Sequence, residues 1–156
     1  GELTITTIGV EGMPLLRFKT GDICHVHYES CKCGRNTLRT GPVIGRKNQM
    51  IKYKGTTLYP PALYDILENI ESVKSYIVEL YTNPIGMDEI LIYVGSENSS
   101  ESFEKAIKDH FRARLRVAPS VIFESLDNIN KLQYPGSSRK PIKLIDKRDM
   151  NVTDRH

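Results

Sequence analysis

The sequence predicts an α+β fold in which a short all-β segment precedes a sheet covered by helices. Three observations carry that prediction. Residues 2–8 (ELTITTI) alternate apolar and polar, as a half-buried strand does. Leu63, Ile66, Leu67 and Ile70 recur at helical spacing behind Pro60-Pro61, and proline suits the first turn of a helix. Apolar runs at residues 73–81 and 89–94 flank Asn83-Pro84-Ile85-Gly86, which reads as the turn between paired strands.

Taken in chain order, Gly9 to Gly12 supply a turn after the first strand. Residues 15–18 and 23–28 read as two strands on either side of a Thr20-Gly21-Asp22 turn. Residues 31–34 form a tight loop, and a further strand leads from Leu38 towards Ile44 before Gly45 breaks it. Residues 50–59 make a small hairpin around Gly55, and the first helix follows. After the strand pair, Asn98 with Glu101 resembles a capping box for a second helix with the stripe Phe103, Ala106, Ile107, Phe111 and Leu115. Acids lie early in that helix and Arg112, Arg114 and Arg116 late, which suits its dipole. Residues 121–126 are the last strand, and residues 130–141, polar with Gly and Pro, read as a mobile loop. From residue 46 the order is therefore hairpin-α-β-β-α-β, one sheet with helices on one face. The expected boundary divides 1–45 from 46–156.

Composition narrows the classes. A chain of 156 residues buries one modest core, and 39% hydrophobic with 26% charged residues is ordinary for a soluble globular protein. No apolar run approaches the roughly 20 residues of a membrane helix. The net charge of +3 is too small to imply nucleic acid, and no basic patch is interleaved with aromatics. The segment from Lys131 to Arg155 is locally basic, either a solvated edge or a region that attracts phosphate. Three cysteines, an odd number without an export signal, argue for reduced thiols in a cytoplasm. The Gly1-Glu2-Leu3 start suggests an excised or processed chain.

Three groups of residues carry chemistry. A turn with Asp22 at its end aims one carboxylate, and a fixed, partly exposed acid of this kind accepts hydrogen bonds from both hydroxyls of a ribose; the plain alternative is a turn that merely contains Asp. Cys31 and Cys33 can clamp a tetrahedral Zn²⁺ but furnish only half its ligands. Cys24, His25 and His27 are the nearest candidates for the remainder, unless those ligands lie outside the chain or the thiols are simply buried. Lys140, in a Gly- and Ser-containing stretch, can neutralise charge on a phosphate or be surface decoration. His110 reads as solvated, and Tyr53, Tyr59, Tyr76, Tyr81 and Tyr93 as strand and core aromatics.

In order along the chain, Gly1-Glu2-Leu3, Glu11-Gly12-Met13-Pro14 and Arg17-Phe18-Lys19-Thr20-Gly21-Asp22 resemble the closing segment of the large domain of adenylate-forming acyl-CoA ligases. Cys31-Lys32-Cys33-Gly34-Arg35 makes the resemblance specific to the phenylacetate-CoA ligase family. Gly45-Arg46 resembles the family hinge, Gly55 the glycine that faces the pantetheine tunnel, and Lys140 the adenylation lysine. Leu144-Ile145-Asp146-Lys147-Arg148 resembles the closing motif. Three positions depart from the pattern: Asn48 replaces the hinge acid, Tyr64 an acid after Gly55, and Arg139 the glycine before the lysine.

The resemblance implies that 1–45 is the β-rich end of a large adenylating domain and 46–156 a mobile C-terminal domain. It implies ATP, AMP, Mg²⁺ and CoA as cofactors, with Zn²⁺ at Cys31 and Cys33 as an additional expectation. An aryl carboxylic acid is the implied substrate, activated as the adenylate and then transferred to CoA. Asp22 would hold the ribose, Arg46 the phosphates, Gly55 the pantetheine thread, and Lys140 the reacting carboxylate and α-phosphate. The chain alone is expected to be inactive and to dimerise through unpaired strand edges. Two alternatives stand beside this reading: an adenylating relative with a saccharide or carrier-protein acceptor, and a non-catalytic ferredoxin-like binding module. A zinc-dependent nucleic-acid binder ranks below both.

Overall fold

The computed structural model describes residues 1–136 and 139–148. They form two compact units, Gly1–Met50 with Tyr59–Pro61, and Ile51–Leu58 with the described residues from Ala62 onward.

The first unit is an antiparallel three-stranded sheet in the order β1 (Glu2–Ile5), β2 (Phe18–His27), β3 (Arg39–Arg46). The first strand stops short of residue 8 because Thr6 and Thr7 divert their hydroxyls to the main chain. Thr6 Oγ1 accepts from the Arg17 N–H and Thr7 Oγ1 from the Leu15 N–H, a local substitute for a ladder. Arg17 takes a left-handed φ of 49° there, so residues 15–17 are not strand.

Thr20-Gly21-Asp22, expected as a turn between two strands, is instead a bulge within one long strand. Glu2 pairs with Ile23 and Thr4 with Lys19, so β2 carries extra residues against β1. Gly21 supplies the φ of 78° that this requires. The Thr20 hydroxyl fastens the bulge by accepting from the Asp22 N–H at 3.1 Å and donating to the Leu3 carbonyl at 3.2 Å. A 3-10 turn, Lys47–Gln49, follows β3.

The second unit opens with the hairpin β4 (Ile51–Tyr53) and β5 (Thr56–Leu58). Lys54 and Gly55 between them both have positive φ, 49° and 78°, the two-residue turn whose twist matches a hairpin. After α1 (Pro60–Glu68) come β6 (Ser75–Thr82), β7 (Asp88–Gly95), α2 (Glu101–Leu115), β8 (Ser120–Glu124), α3 (Leu126–Gln133) and β9 (Leu144–Asp146). The four-stranded sheet runs β8-β7-β6-β9, with an antiparallel β6–β7 pair at its centre and parallel outer strands. The Asn83 side chain closes the central turn by accepting from the N–H groups of Ile85 and Met87.

Period-2 burial decides how the layers stack. Tyr76, Val78 and Leu80 of β6 lie opposite Val94, Ile92 and Ile90 of β7, all buried on one face. Against them pack Leu63 and Leu67 of α1, Ile107 and Phe111 of α2, and the hairpin residues Ile51, Tyr53 and Leu58. The N-cap of α2 is Ser100, one place before Glu101, with its hydroxyl accepting from the Phe103 N–H. Asn98, expected in that role, caps the preceding turn by accepting from the Ser100 N–H.

The stretch expected as a mobile loop begins as helix. Ser125 caps α3 and Ile129 is fully buried in it. This helix covers the second face of the sheet, where Ile77 is buried and Gly95 has no side chain. A Cβ on Gly95 would come within 2.9 Å of Leu126 Cδ2. Helices therefore flank both faces. Ser137, Ser138 and residues 149–156, which include part of the basic segment, lie outside the described residues. Among the described residues, no helix is long and apolar enough to cross a membrane.

Candidate functional site

The bulge in β2 is what places the first candidate. Asp22, at its end, is the cross-strand partner of Arg46 at the end of β3. Arg46 Nε lies 3.5 Å from Asp22 Oδ1, with the acid a quarter exposed and the guanidinium two-thirds exposed. Two residues 24 apart in sequence, nominated separately, thus share one edge of the first unit. Exposed pairs of this kind hold each other with less than about 1 kcal/mol. Either group can therefore exchange its partner for a ligand at small cost, and an acid beside a forked cation suits a ribose next to phosphates. Lys47 adds a second cation beside them in sequence, 3.2 Å from Glu2 Oε2.

Cys31 and Cys33 sit in the expected tight loop, closed by Gly34 N–H donating to the Cys31 carbonyl and by Cys31 N–H donating to the Arg35 carbonyl. Cys33 is exposed and Cys31 half-buried, so neither is the buried thiol of the plain alternative; Cys24 is the buried one. The Cys33 thiol is drawn below its ordinary value by a hydrogen bond from Cys31, helped by Arg35. No group of three His, Cys, Asp or Glu side chains gathers as a metal site among the described residues. His25 and His27 therefore do not complete a zinc site with this pair, and no chemistry is assigned to zinc here.

Gly55 and Lys140 belong to the second unit. At Gly55 the turn dihedral is a sufficient reason for glycine, since no heavy atom lies within 4 Å of an added Cβ. Tyr64, where the family pattern has an acid, is half-buried in the second unit, and burial pushes its hydroxyl up to about 12. Lys140 is exposed between α3 and β9, as is Arg139. The closing motif holds β9 in place. Arg148 donates from Nε and Nη2 to the two oxygens of Asp146, at 2.9 and 2.7 Å, and from Nη1 to Asp88 at 3.0 Å. Asp88 also accepts from the Lys52 N–H of β4, which ties the hairpin to the same network. Arg148 holds the Asp146 carboxyl below the usual range.

Other residues, which hold the segment that follows Lys140, had no signal in the sequence. Glu68, in the last turn of α1, accepts from Lys143 Nζ and from the Tyr76 hydroxyl. Lys143 also lies 5.8 and 5.4 Å from the ring centres of Tyr64 and Tyr76. Buried Gln133 donates to the Tyr76 carbonyl at 2.8 Å and accepts from the Ser75 hydroxyl at 3.1 Å. The Glu68–Lys143 pair spans 75 residues, a separation at which no local pattern operates.

The fold is similar to part of a solved acyl-CoA ligase. It matches a solved 2-hydroxyisobutyryl-CoA ligase in the postadenylation state with a TM-score of 0.62 at 21% identity, over 85% of this chain and 29% of that one. The same ligase in the thioesterification state, in complex with 2-HIB-AMP and CoA, matches with a TM-score of 0.53 at 20% identity, over 87% and 29%. Sequence relatives narrow the class. A phenylacetate-coenzyme A ligase of Thermus thermophilus is 42% identical over 73 residues, 47% of this chain and 16% of that protein. One from Pseudomonas putida is 25% identical over 95 residues, 60% and 21%. The chain is thus similar in sequence to phenylacetate-coenzyme A ligases over part of its length, and it matches only a small part of theirs. No family model matches it.

Proposed function

We propose that this chain is the C-terminal portion of an ATP-dependent, AMP-forming ligase that joins an aryl carboxylic acid to CoA. The observation that carries the reading is the pairing of Asp22 with Arg46 across a bulged strand in a relative of phenylacetate-CoA ligases. In the first half-reaction the substrate carboxylate attacks the α-phosphorus of ATP and pyrophosphate leaves. Asp22 anchors the ribose hydroxyls and Arg46 meets the phosphates. Lys140 bridges the attacking carboxylate and the α-phosphate, stabilising the charge that builds between them. In the second, the CoA thiol gives its proton to solvent and the thiolate attacks the acyl carbonyl, the carbonyl–phosphate bond breaks and AMP leaves, with the Gly55 turn beside the pantetheine. Magnesium arrives with the nucleotide, and no residue of this chain is assigned to it.

Two further features support the reading. Several large apolar residues of the first unit are exposed, Ile8 at 92% and Leu16 at 81% among them. A unit with such exposed apolar residues fits a segment that packs on a larger domain. The position of Lys140 beside the anchored closing motif also suits a lysine delivered on a defined base.

The test is made in the intact enzyme. Lys140→Ala should abolish pyrophosphate release from ATP and acid while leaving CoA able to consume supplied acyl-adenylate. Equal loss in both half-reactions would sink the assignment. Release of AMP without thioester, in the presence of another nucleophile, would move the chain to the relatives with a non-CoA acceptor.

A further inference from the structure

The main chain just after Lys140 is gripped at several points within the second unit. The Ile142 N–H donates to the Gln133 carbonyl at 2.8 Å, and the Val78 N–H to the Lys143 carbonyl at 2.9 Å. The Lys143 side chain reaches Glu68 at 2.5 Å and lies over two tyrosine rings. Glu68 is fixed in turn by the Tyr76 hydroxyl at 2.7 Å, and Gln133 by its two bonds to β6. Three residues of extended chain span at most about 10 Å, and the nearer bond at Ile142 is two residues away, so whatever holds Ile142 and Lys143 limits where the backbone at Lys140 can lie.

As a source of stability this apparatus is oddly expensive in side chains. Both members of the ion pair are more than a third exposed, and pairs of that kind contribute little to folding. What they do contribute is position. Reacting groups must be held to within about an ångström, and a misplacement of that size can cost about a hundredfold in rate.

We propose that Glu68 and Gln133 are positioning residues for Lys140, acting through the Lys143 side chain and the Ile142 main chain. This rests on the role proposed above for Lys140. In the intact enzyme, Glu68→Ala should lower kcat for adenylation about tenfold, with KM for ATP and for the acid within about twofold. The thioester half-reaction from supplied acyl-adenylate and the melting temperature should be nearly unchanged. Glu68→Gln, whose amide oxygen still accepts from both partners, should recover most of the loss. Lys143→Met should reproduce Glu68→Ala, and the double variant should be no slower than either single one. Lys140→Ala is measured alongside. If it abolishes adenylation while Glu68→Ala and Lys143→Met leave adenylation at the native rate, the positioning role is overturned and the function stands. Equal loss in both half-reactions with a lowered melting temperature overturns it as well. If Lys140→Ala leaves adenylation intact, both readings fall.

Discussion

The two units spend their apolar residues in opposite ways. In the second, both faces of a four-stranded sheet are covered, and Ile51, Leu63, Leu67, Ile92, Ile107 and Phe111 are sealed from solvent. In the first, Cys24 and Pro60 are the buried apolar side chains among the described residues, while Ile8, Leu16, Tyr28 and Leu38 are at least two-thirds exposed. Apolar burial contributes about 25 cal/mol per Å², so the second unit holds most of the chain's stability. The first is a sheet held by its ladders and threonine hydroxyls, and it brings Asp22 and Arg46 together. A stable core and a candidate ligand site have been given to different parts of the chain.

That contrast can be broken or sharpened. The largest effect is expected in the core of the second unit: Phe111→Ala should cost about 3–5 kcal/mol, measured by urea denaturation. A loss below about 1 kcal/mol would mean that this core is not the seat of stability. Asp146→Asn, which breaks a double charge-assisted hydrogen bond between side chains only about an eighth exposed, should cost about 2–3 kcal/mol at neutral pH. Its sign with pH follows from the lowered folded value of the carboxyl. The stabilisation is present above the ordinary carboxylate range and is lost as pH falls through that lower value. The native chain should therefore weaken in acid more steeply than Asp146→Asn, and parallel acid limbs would contradict the pairing.

Within the first unit effects should be smaller. Gly45 lies against Tyr59, where an added Cβ would come within 2.6 Å of the ring. Gly45→Ala should cost about 1–2 kcal/mol through the shift it forces, read from the same denaturation curves. Leu16→Lys, in the exposed connection between β1 and β2, should change stability by less than about 0.5 kcal/mol while reducing self-association in sedimentation experiments. Strong destabilisation there would show that the first unit has a core of its own.

The particular elements differ in how far the sequence reached them. The α1 stripe, the Lys54-Gly55 hairpin and the Asn83–Gly86 turn were legible because each depends on residues a few places apart. Helix α3 was missed: Leu126 was read as strand and residues 130–141 as loop, because the polar run up to Pro135-Gly136 hides the cap at Ser125 and the spacing of Leu126, Ile129 and Gln133. The Thr20–Asp22 bulge was misread as a turn because glycine with positive φ serves both. Only pairing with β1 distinguishes them.

By itself the sequence indicated most of the strands and two of the helices, a resemblance to the phenylacetate-CoA ligases, and Asp22, Arg46, Gly55 and Lys140 as candidates, because residue type and local spacing suffice for these. Tertiary structure alone decided that Asp22 meets Arg46, that α3 closes the second face of the sheet, and that Glu68 reaches Lys143. The reason is physical: such contacts join segments far apart along the chain, and their geometry is fixed by strand register and packing, which no local pattern encodes.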